Sequence, residues 1–349
     1  MVSPLSLSGT TLSISGVTGA IVGTSDVQTL SYKTLGSTTI FPMPIGKDLI
    51  MNGAMHVWQR GTSITCPAGT RTFTADRWAV TATGAAMTAA PTQWYTDYER
   101  SLMGLTSSGA VTAVDITQRI PHDELAGVNG GSPYTLSFFV HQTSGSTMTP
   151  QVLINTANVL DTFSAVTNRV AATSLQAVSD SGFGTFCYYT FTPNALTNYS
   201  NGIEIVLRFG AVPNTKVLKV GQVICFPGSS APTHPYPTAS YGETLTNCQR
   251  FGRPVGSYEI SVAYNSATSV IAWSRFDPPM RAAPTPSYPS GTWSISVPTA
   301  KTSTNAITPG TTTTNSIAFS HGGYSSLTSQ CGGHYNSVPG SGIWLDAEL

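Results

Sequence analysis

Short runs of β-branched and aromatic residues, each closed by Gly, Pro, Asn or Ser, recur along this chain and constrain its fold more than any other feature. They include Tyr134–Val140, Cys187–Phe191, Ile203–Phe209, Lys216–Phe226, Ser257–Tyr264, Ser269–Phe276 and Thr292–Val297. Some alternate apolar and polar residues with period two, and others have a continuous apolar centre. Val, Ile, Thr, Tyr and Phe pack well on a pleated, half-buried surface, so each run reads as a strand. Many short strands joined by polar turns point to an all-β sandwich or barrel rather than to βαβ units. One helix is expected, over Ser240–Phe251. Ser240 and Glu243 have capping-box spacing there, and Tyr241, Leu245 and Cys248 share a face.

Composition narrows the class further. The chain has 349 residues, enough for about two domains. Its hydrophobic content of 40% supports a sizeable core. Charged residues make up only 9%, against about 25% in an ordinary soluble domain. Ser and Thr number 91, so hydroxyls and backbone must wet the surface in place of ions. Sixteen basic and sixteen acidic residues cancel, leaving no electrostatic footprint for nucleic acid or an anionic membrane. No signal peptide is visible at Met1–Ala20, and no apolar run approaches the length of a spanning helix, about 18 residues. The five cysteines, Cys66, Cys187, Cys225, Cys248 and Cys331, are odd in number and scattered. They read as reduced, buried thiols made in a reducing compartment.

Charge density divides the chain. Residues 1–46 hold two charged residues, 47–256 hold 23 and the remainder seven. The middle reads as an ordinary folded domain, and the flanks as material that folds against something else. The expected units are an arm over 1–46, a sandwich over 47–255 and a smaller β domain over 256–349. The arm contains a repeat, Leu5–Thr11 followed by Leu12–Thr18, with Leu-Ser alternation ending in Ser-Gly. It reads either as short strands with tight bends needing a partner surface, or as a flexible Ser/Thr/Gly arm. The Pro-rich stretch 227–237 fits a loop covering a sandwich edge better than a polyproline ligand.

Chemistry-bearing motifs are sparse. There is no Walker loop, and Gly182-Phe183-Gly184 lacks both the third glycine and the following helix of a dinucleotide fingerprint. No G-x-S-x-G elbow occurs. The pairs Asp97/Glu99 and Asp346/Glu348 each lie on one strand face at about 7 Å, near the separation used in glycoside hydrolysis. Asp123 and Glu124 would face opposite ways. A solvated edge accounts for these acids, since nothing else marks a site around them. Cys331 and His334 have C-x-x-H spacing, with His321 a third candidate metal ligand. That set falls short of a zinc site unless histidines gather on a threefold axis. No cofactor is expected.

Aromatics offer the best binding chemistry. Six Trp and fourteen Tyr include rings able to stack on the C–H faces of sugars, although most belong in a β-sandwich core. Trp273, Tyr288, Trp293 and Tyr324 are the candidate glycan contacts.

Leu49–Thr62 (LIMNGAMHVWQRGT) with Phe73–Trp78 (FTADRW), then Ile116–Ile120, Tyr134–Val140 and Tyr241–Phe251 (YGETLTNCQRF), resemble in order and spacing a domain of bacteriophage tail-fibre and appendage proteins. Asp26–Leu35 resembles the linker that often precedes that domain. Pro278–Thr285 and Trp344–Leu349 are similar to the tips of such fibres. The resemblance implies a carbohydrate-module-like jelly-roll sandwich in a trimeric virion protein that meets the host surface, and it does not imply catalysis. Val223–Gly228 stands where relatives usually carry an acidic residue before the Gly-Ser turn, so that acid's role is not carried over.

Beside the resemblance, the residues support a structural reading of the FTADRW block. On a strand, Asp76 and Trp78 would share one face and Arg77 the other. A buried Trp78 leaves Asp76 in need of a donor, with Gln59 or Arg60 as candidates, and such a pair locks a fold more often than it binds a ligand.

The resulting expectation is a non-enzymatic, homotrimeric tail-fibre or spike-type component of a phage virion, assembled in the bacterial cytoplasm. Its partners would be other copies of itself, other virion proteins through residues 1–46, and a host-surface glycan, without nucleic acid or membrane insertion. The alternatives are an architectural capsid decoration, head-fibre, neck or baseplate protein, and a glycan depolymerase using Asp97 and Glu99.

Overall fold

The computed structural model describes residues 6–8, 11–13, 48–94, 100–180, 184–229, 239–256, 259–295, 301–324, 327, 332–337 and 343–348. The chain separates into two compact units, Met1–Met43 and Pro44–Leu349. In the first, β1 (Ser6–Ser8) pairs antiparallel with β2 (Thr11–Ser13), setting Leu7 opposite Leu12. The Leu-Ser repeat thus pairs with itself, as the strand reading of the arm expects. The linker-like Asp26–Leu35 and most of the Pro-rich 227–237 stretch lie outside the described residues.

The second unit begins with twelve strands that form two antiparallel sheets. They are β3 (Ile64–Cys66), β4 (Thr72–Phe73), β5 (Ala79–Thr83), β6 (Met87–Trp94), β7 (Arg100–Ser107), β8 (Ala113–Ile120), β9 (Tyr134–Gln142), β10 (Gln151–Val159), β11 (Thr162–Ser174), β12 (Thr185–Phe191), β13 (Ile203–Phe209) and β14 (Val217–Pro227). One sheet has the order β11-β10-β13-β8-β5-β4, and the other β12-β9-β14-β7-β6-β3. The chain passes from β8 to β9 to β10 by crossing from one sheet to the other and back, and does so again through β12, β13 and β14. That alternation makes the fold a jelly-roll sandwich.

Period-two patterning fills the space between the sheets. Ile203, Ile205, Leu207 and Phe209 of β13 and Leu136, Phe138 and Val140 of β9 all enter one apolar core. Phe138 and Phe209 meet edge to face, with ring centroids 6.3 Å apart. Each such buried side chain contributes about 1.5–3 kcal/mol. Every residue of β9 is buried. Its outward face is covered as well as its inward one, which explains why YTLSFFV does not alternate cleanly.

The helix α1 (Tyr241–Gln249) starts where the capping box predicts, with the Ser240 Oγ accepting from the Glu243 N–H at 3.2 Å. Its buried face differs from the expected one. Thr244 and Cys248 point inward, whereas Tyr241 is exposed. The reason is local: the Thr244 hydroxyl donates to the Ser240 carbonyl at 2.8 Å, so its methyl is free to pack like an apolar residue.

The remaining strands are β15 (Gly252–Val255), β16 (Ser261–Ser266), β17 (Ser269–Arg275), β18 (Thr285–Ser287), β19 (Trp293–Ile295), β20 (Lys301–Ser303), β21 (Ile307–Thr312), β22 (Ser316–Gly322), β23 (Gly332–Ser337) and β24 (Ile343–Asp346). They form a three-stranded sheet, β15-β24-β18, and a seven-stranded sheet, β20-β19-β23-β16-β17-β22-β21. A second apolar cluster, including Val262, Val270, Trp293, Phe319 and Tyr335, holds them together. Among the described residues no helix is long and apolar enough to cross a membrane.

Polar contacts tie this part to the sandwich. The Gln59 amide donates to the Gly252 carbonyl at 2.9 Å. The Arg60 guanidinium lies 4.8 Å from the Phe73 ring centroid and 4.5 Å from that of Trp344. Arg281 pairs with Asp161 at 3.4 Å.

Candidate functional site

Of the four aromatic residues singled out from sequence, Trp273 is the one the structure leaves exposed, at 39%. It stands on β17, whose strict alternation buries Val270, Ala272 and Ser274 and turns Ile271, Trp273 and Arg275 outward. Directly opposite Trp273 are Ser261 on β16 and Ala318 on β22. Ala263 and Ser320 flank Ile271 in the same way, and Ser316 lies opposite Arg275. Small neighbours on both sides leave the indole face unwalled, with hydroxyls beside it. Ile271 was not singled out from sequence, although the same period-two reading that exposes Trp273 also exposes Ile271.

Trp293 and Tyr324 require a correction. They are 1% and 2% exposed and belong to the second apolar cluster, so neither ring meets solvent. Trp293 packs against Tyr335 with centroids 5.2 Å apart and against His321 at 5.4 Å. Hydroxyl-rich flanks masked the fact that this region has a core of its own. Tyr288 is half-buried, with its ring 5.5 Å from that of Phe319.

His321 is a core residue. Its Nε2 donates to the Asn305 carbonyl at 3.0 Å, which fixes the tautomer and leaves Nδ1 to accept from the Tyr324 hydroxyl at 2.8 Å. The Tyr335 hydroxyl also lies 3.1 Å from Nδ1. Burial lowers the His321 pKa and keeps the ring neutral. Both nitrogens are therefore engaged by protein and neither is open to a metal. Cys331 and the side chain of His334 lie outside what is described.

Among the acids expected on a solvated edge, Asp346 is 40% exposed and Glu348 departs from the expectation. Asp97 and Glu99 fall outside the described residues. Glu348 is no edge residue: it is 3% exposed and accepts a charge-assisted hydrogen bond from Arg77. Its backbone N–H donates to Asp346 at 2.8 Å, and Arg60 approaches both acids, at 3.6 Å and 3.9 Å. His122, Asp123 and Asp161 also gather on the surface. Arg250 already answers Asp123 at 3.3 Å and Arg281 answers Asp161, so arginine supplies the positive charge there.

Asp76 behaves as the locking pair anticipated. Trp78 is fully buried and its indole N–H donates to the Asn52 carbonyl at 2.9 Å. Asp76, 2% exposed, accepts from both the backbone and the side-chain amide of Gln59, with Arg60 at 3.9 Å. The local geometry is a turn and not a strand: Asp76 and Arg77 form the β4–β5 turn, where Arg77 has a φ of 71°. Four cysteines, Cys66, Cys187, Cys225 and Cys248, are free and buried, and burial pushes Cys66 up to about 11.

A cleft of about 730 Å³ opens between α1 and the segment Asp48–Ala54. That segment is stapled between the sheets. The Gln118 side chain accepts from the Met51 N–H at 2.9 Å and donates to the Met51 carbonyl at 2.8 Å. The N–H of Leu49 donates to the Cys225 carbonyl at 3.1 Å, and that of Val223 to the Gly53 carbonyl at 2.9 Å. Arg77, Arg119, Glu243, Asn247 and Arg250 complete the walls. Residues separated by some two hundred positions thus meet around one polar space. Sequence reading missed this site, because nothing in a helix of mean polarity announces which polar residues face inward.

No protein-family model matches the chain, and no curated protein matches it. Solved structures do. A putative sugar-binding protein from Bacteroides thetaiotaomicron is 14% identical, over 52% of this chain and all of its own, with a TM-score of 0.35. A xylan-binding CBM22-1 domain from Paenibacillus barcinonensis is 12% identical over 53% of this chain and 97% of its own, at 0.31. The enzymatically active domain of tailspike protein 4 of bacteriophage CBA120 is 16% identical over 52% of this chain and 21% of its own, also at 0.31. At these scores and identities the likenesses add nothing to the β-sandwich that the strand order establishes.

Proposed function

We propose that this chain is a non-enzymatic, homotrimeric tail-fibre or spike-type component of a bacteriophage virion, and that it recognises a host-surface glycan through the outer face of its seven-stranded sheet. The observation that carries the glycan reading is Trp273, an exposed indole beside Ile271 whose direct cross-strand neighbours are Ser and Ala. Pyranose rings present C–H faces to such a ring while their hydroxyls reach neighbouring donors and acceptors. The virion placement rests on the sequence blocks between Leu49 and Phe251, and the low charge of the chain suits edges covered by neighbouring copies.

Host-cell binding by the full chain and by Trp273→Ala tests the reading. The variant is expected to bind about tenfold more weakly, a loss of ~1.4 kcal/mol, with an unchanged thermal midpoint. Equal binding by both proteins sinks the assignment of this face.

The same apolar pair, Ile271 and Trp273, also suits burial against a second chain, as in a purely architectural virion protein. Sedimentation separates the two. A trimer that survives Trp273→Ala favours the glycan face, and one that dissociates favours the interface. A compact monomer of the full chain at micromolar concentration removes the trimer altogether.

A further inference from the structure

The seven-stranded sheet carries charge of one sign. Its strands hold no Asp or Glu, and their cations are Arg275 at the end of β17 and Lys301 on the edge strand β20. Arg275 is exposed, and among the described residues no carboxylate, aromatic ring or hydrogen-bond acceptor holds its guanidinium. Asp277, the nearest acid along the chain, forms no ion pair with it. Every other arginine with a described side chain is engaged, by a carboxylate, an aromatic ring or, for Arg169, the Thr156 hydroxyl. In a chain with so few charges, that sets Arg275 apart from the arginines that hold the fold together.

Its position on the sheet is as telling as its lack of a partner. Arg275 and Trp273 are two residues apart on one strand, so both side chains leave the same face, about 7 Å apart. On β22, Ser316 lies directly opposite Arg275 and Ala318 opposite Trp273, so no bulky side chain of that strand stands beside the pair. Ser261 on β16 borders Trp273 from the other side. The face thus offers an indole ring and, one step further along the row, a planar cation with five N–H donors.

We infer that the glycan taken by this face is acidic: a pyranose stacks on Trp273, and a carboxylate borne on it or on the next sugar pairs with the Arg275 guanidinium. The inference rests on the glycan-binding reading of Trp273 and adds the class of sugar. In uronic and sialic acids the carboxylate is attached directly to the pyranose ring, so one sugar or two adjacent ones span the distance from indole to guanidinium. Arginine meets a carboxylate with two parallel N–H···O bonds, which selects orientation as well as sign. With no acid on its strands, the sheet has nothing to repel such a chain. One guanidinium is too little for nucleic acid, which is held through many phosphate contacts.

Calorimetric titration of the full chain with oligogalacturonate, its methyl ester, polysialic acid and polyglutamate, at low and at physiological salt, tests this. At low salt oligogalacturonate or polysialic acid is expected to bind at least about fivefold more tightly than the methyl ester and polyglutamate, and added salt should narrow that gap. Arg275→Gln is expected to erase the gap and its salt dependence without moving the thermal midpoint, whereas Lys301→Gln should keep both. Equal affinity for acid and ester would show that the face ignores charge, and equal affinity for polyglutamate that it ignores the ring. Either result overturns the inference, as does a lack of binding by both acidic glycans, a gap that survives Arg275→Gln, or one that Lys301→Gln removes as well. Failure of the glycan reading itself would show separately, as equal host-cell binding by wild type and Trp273→Ala.

Discussion

Glu348 reaches back from beyond β24 to Arg77 in the β4–β5 turn, and both side chains are 3% exposed. Arg77 also donates to the Arg119 carbonyl, and its guanidinium carbon lies 3.5 Å from the centre of the Phe251 ring. This ion pair, with Arg60 3.6 Å from the same carboxylate, therefore joins Glu348 to the sandwich with almost no water nearby. Removing one partner of such a pair leaves the other buried and unanswered, at a cost of about 3–5 kcal/mol. Glu348→Gln is expected to lose that much in urea denaturation. Asp115→Asn provides the contrast, because Asp115 and Arg208 are 26% and 39% exposed and such pairs contribute about 0–1 kcal/mol. Similar losses from both variants would mean that the Arg77 pair is not a junction.

Gly53 is fixed by a close approach of backbone to backbone. A β-carbon there would stand 1.8 Å from the Val223 carbonyl oxygen, and the Val223 N–H donates to the Gly53 carbonyl. Neither neighbour is a side chain that can swing aside, so the segment stapled over β14 must lift. Gly53→Ala is expected to destabilise by more than about 3 kcal/mol, at the severe end for single substitutions. Gly242→Ala, where nothing lies within 4 Å, should be neutral or mildly stabilising. A thermal midpoint for Gly53→Ala within a degree or two of wild type would contradict the close approach.

These two sites mark where sequence reading stops. Strands such as Ile203–Phe209 were legible because period-two patterning and turn residues are local signals, and the Ser240 cap was legible for the same reason. Trp273 was legible as an aromatic residue on an alternating strand. Nothing local distinguished it from Trp293, since exposure depends on which sheet face another element covers. Glu348 looked like an edge residue because its partner, Arg77, is 271 residues away. The cleft was invisible for a similar reason: Asp48, Arg77, Gln118 and Asn247 belong to four separate segments, and only the fold brings them together.

One buried carboxyl, Asp76, and one half-buried carboxyl, Asp48, give the protein a pH dependence of known sign. Burial pushes Asp48 up to about 7, against the pull of its hydrogen bonds from Cys225 and Ile50, and pushes Asp76 up to about 6, against the Gln59 amide and Arg60. A folded pKa above the unfolded one means the native state holds the proton more tightly. The stability this adds is complete below about pH 4 and is lost as pH rises through 6 and 7. His321 works the other way: burial lowers its pKa, so its contribution is complete above about 6.5 and lost on acidification. Asp48→Asn retains an oxygen for both N–H donors and cannot ionise. Between about pH 5 and pH 8, wild type should lose more thermal stability than Asp48→Asn. Parallel curves for the two proteins would show that Asp48 ionises normally.

The two tryptophans of the terminal β region make the sharpest comparison. Trp293 fills the second core and contacts Phe319, His321 and Tyr335, so truncation leaves a cavity among aromatic rings that cannot close over it. Trp293→Ala is expected to cost about 3–5 kcal/mol. Trp273 is surrounded by small residues on an open sheet face, and removing it creates no cavity. Trp273→Ala should change stability by about 0.5 kcal/mol or less, even where it weakens binding. Guanidinium denaturation of both variants measures the difference. A large loss from Trp273→Ala would mean that its ring is packed in solution, against another segment or another chain, and the face could then not serve as an open glycan platform.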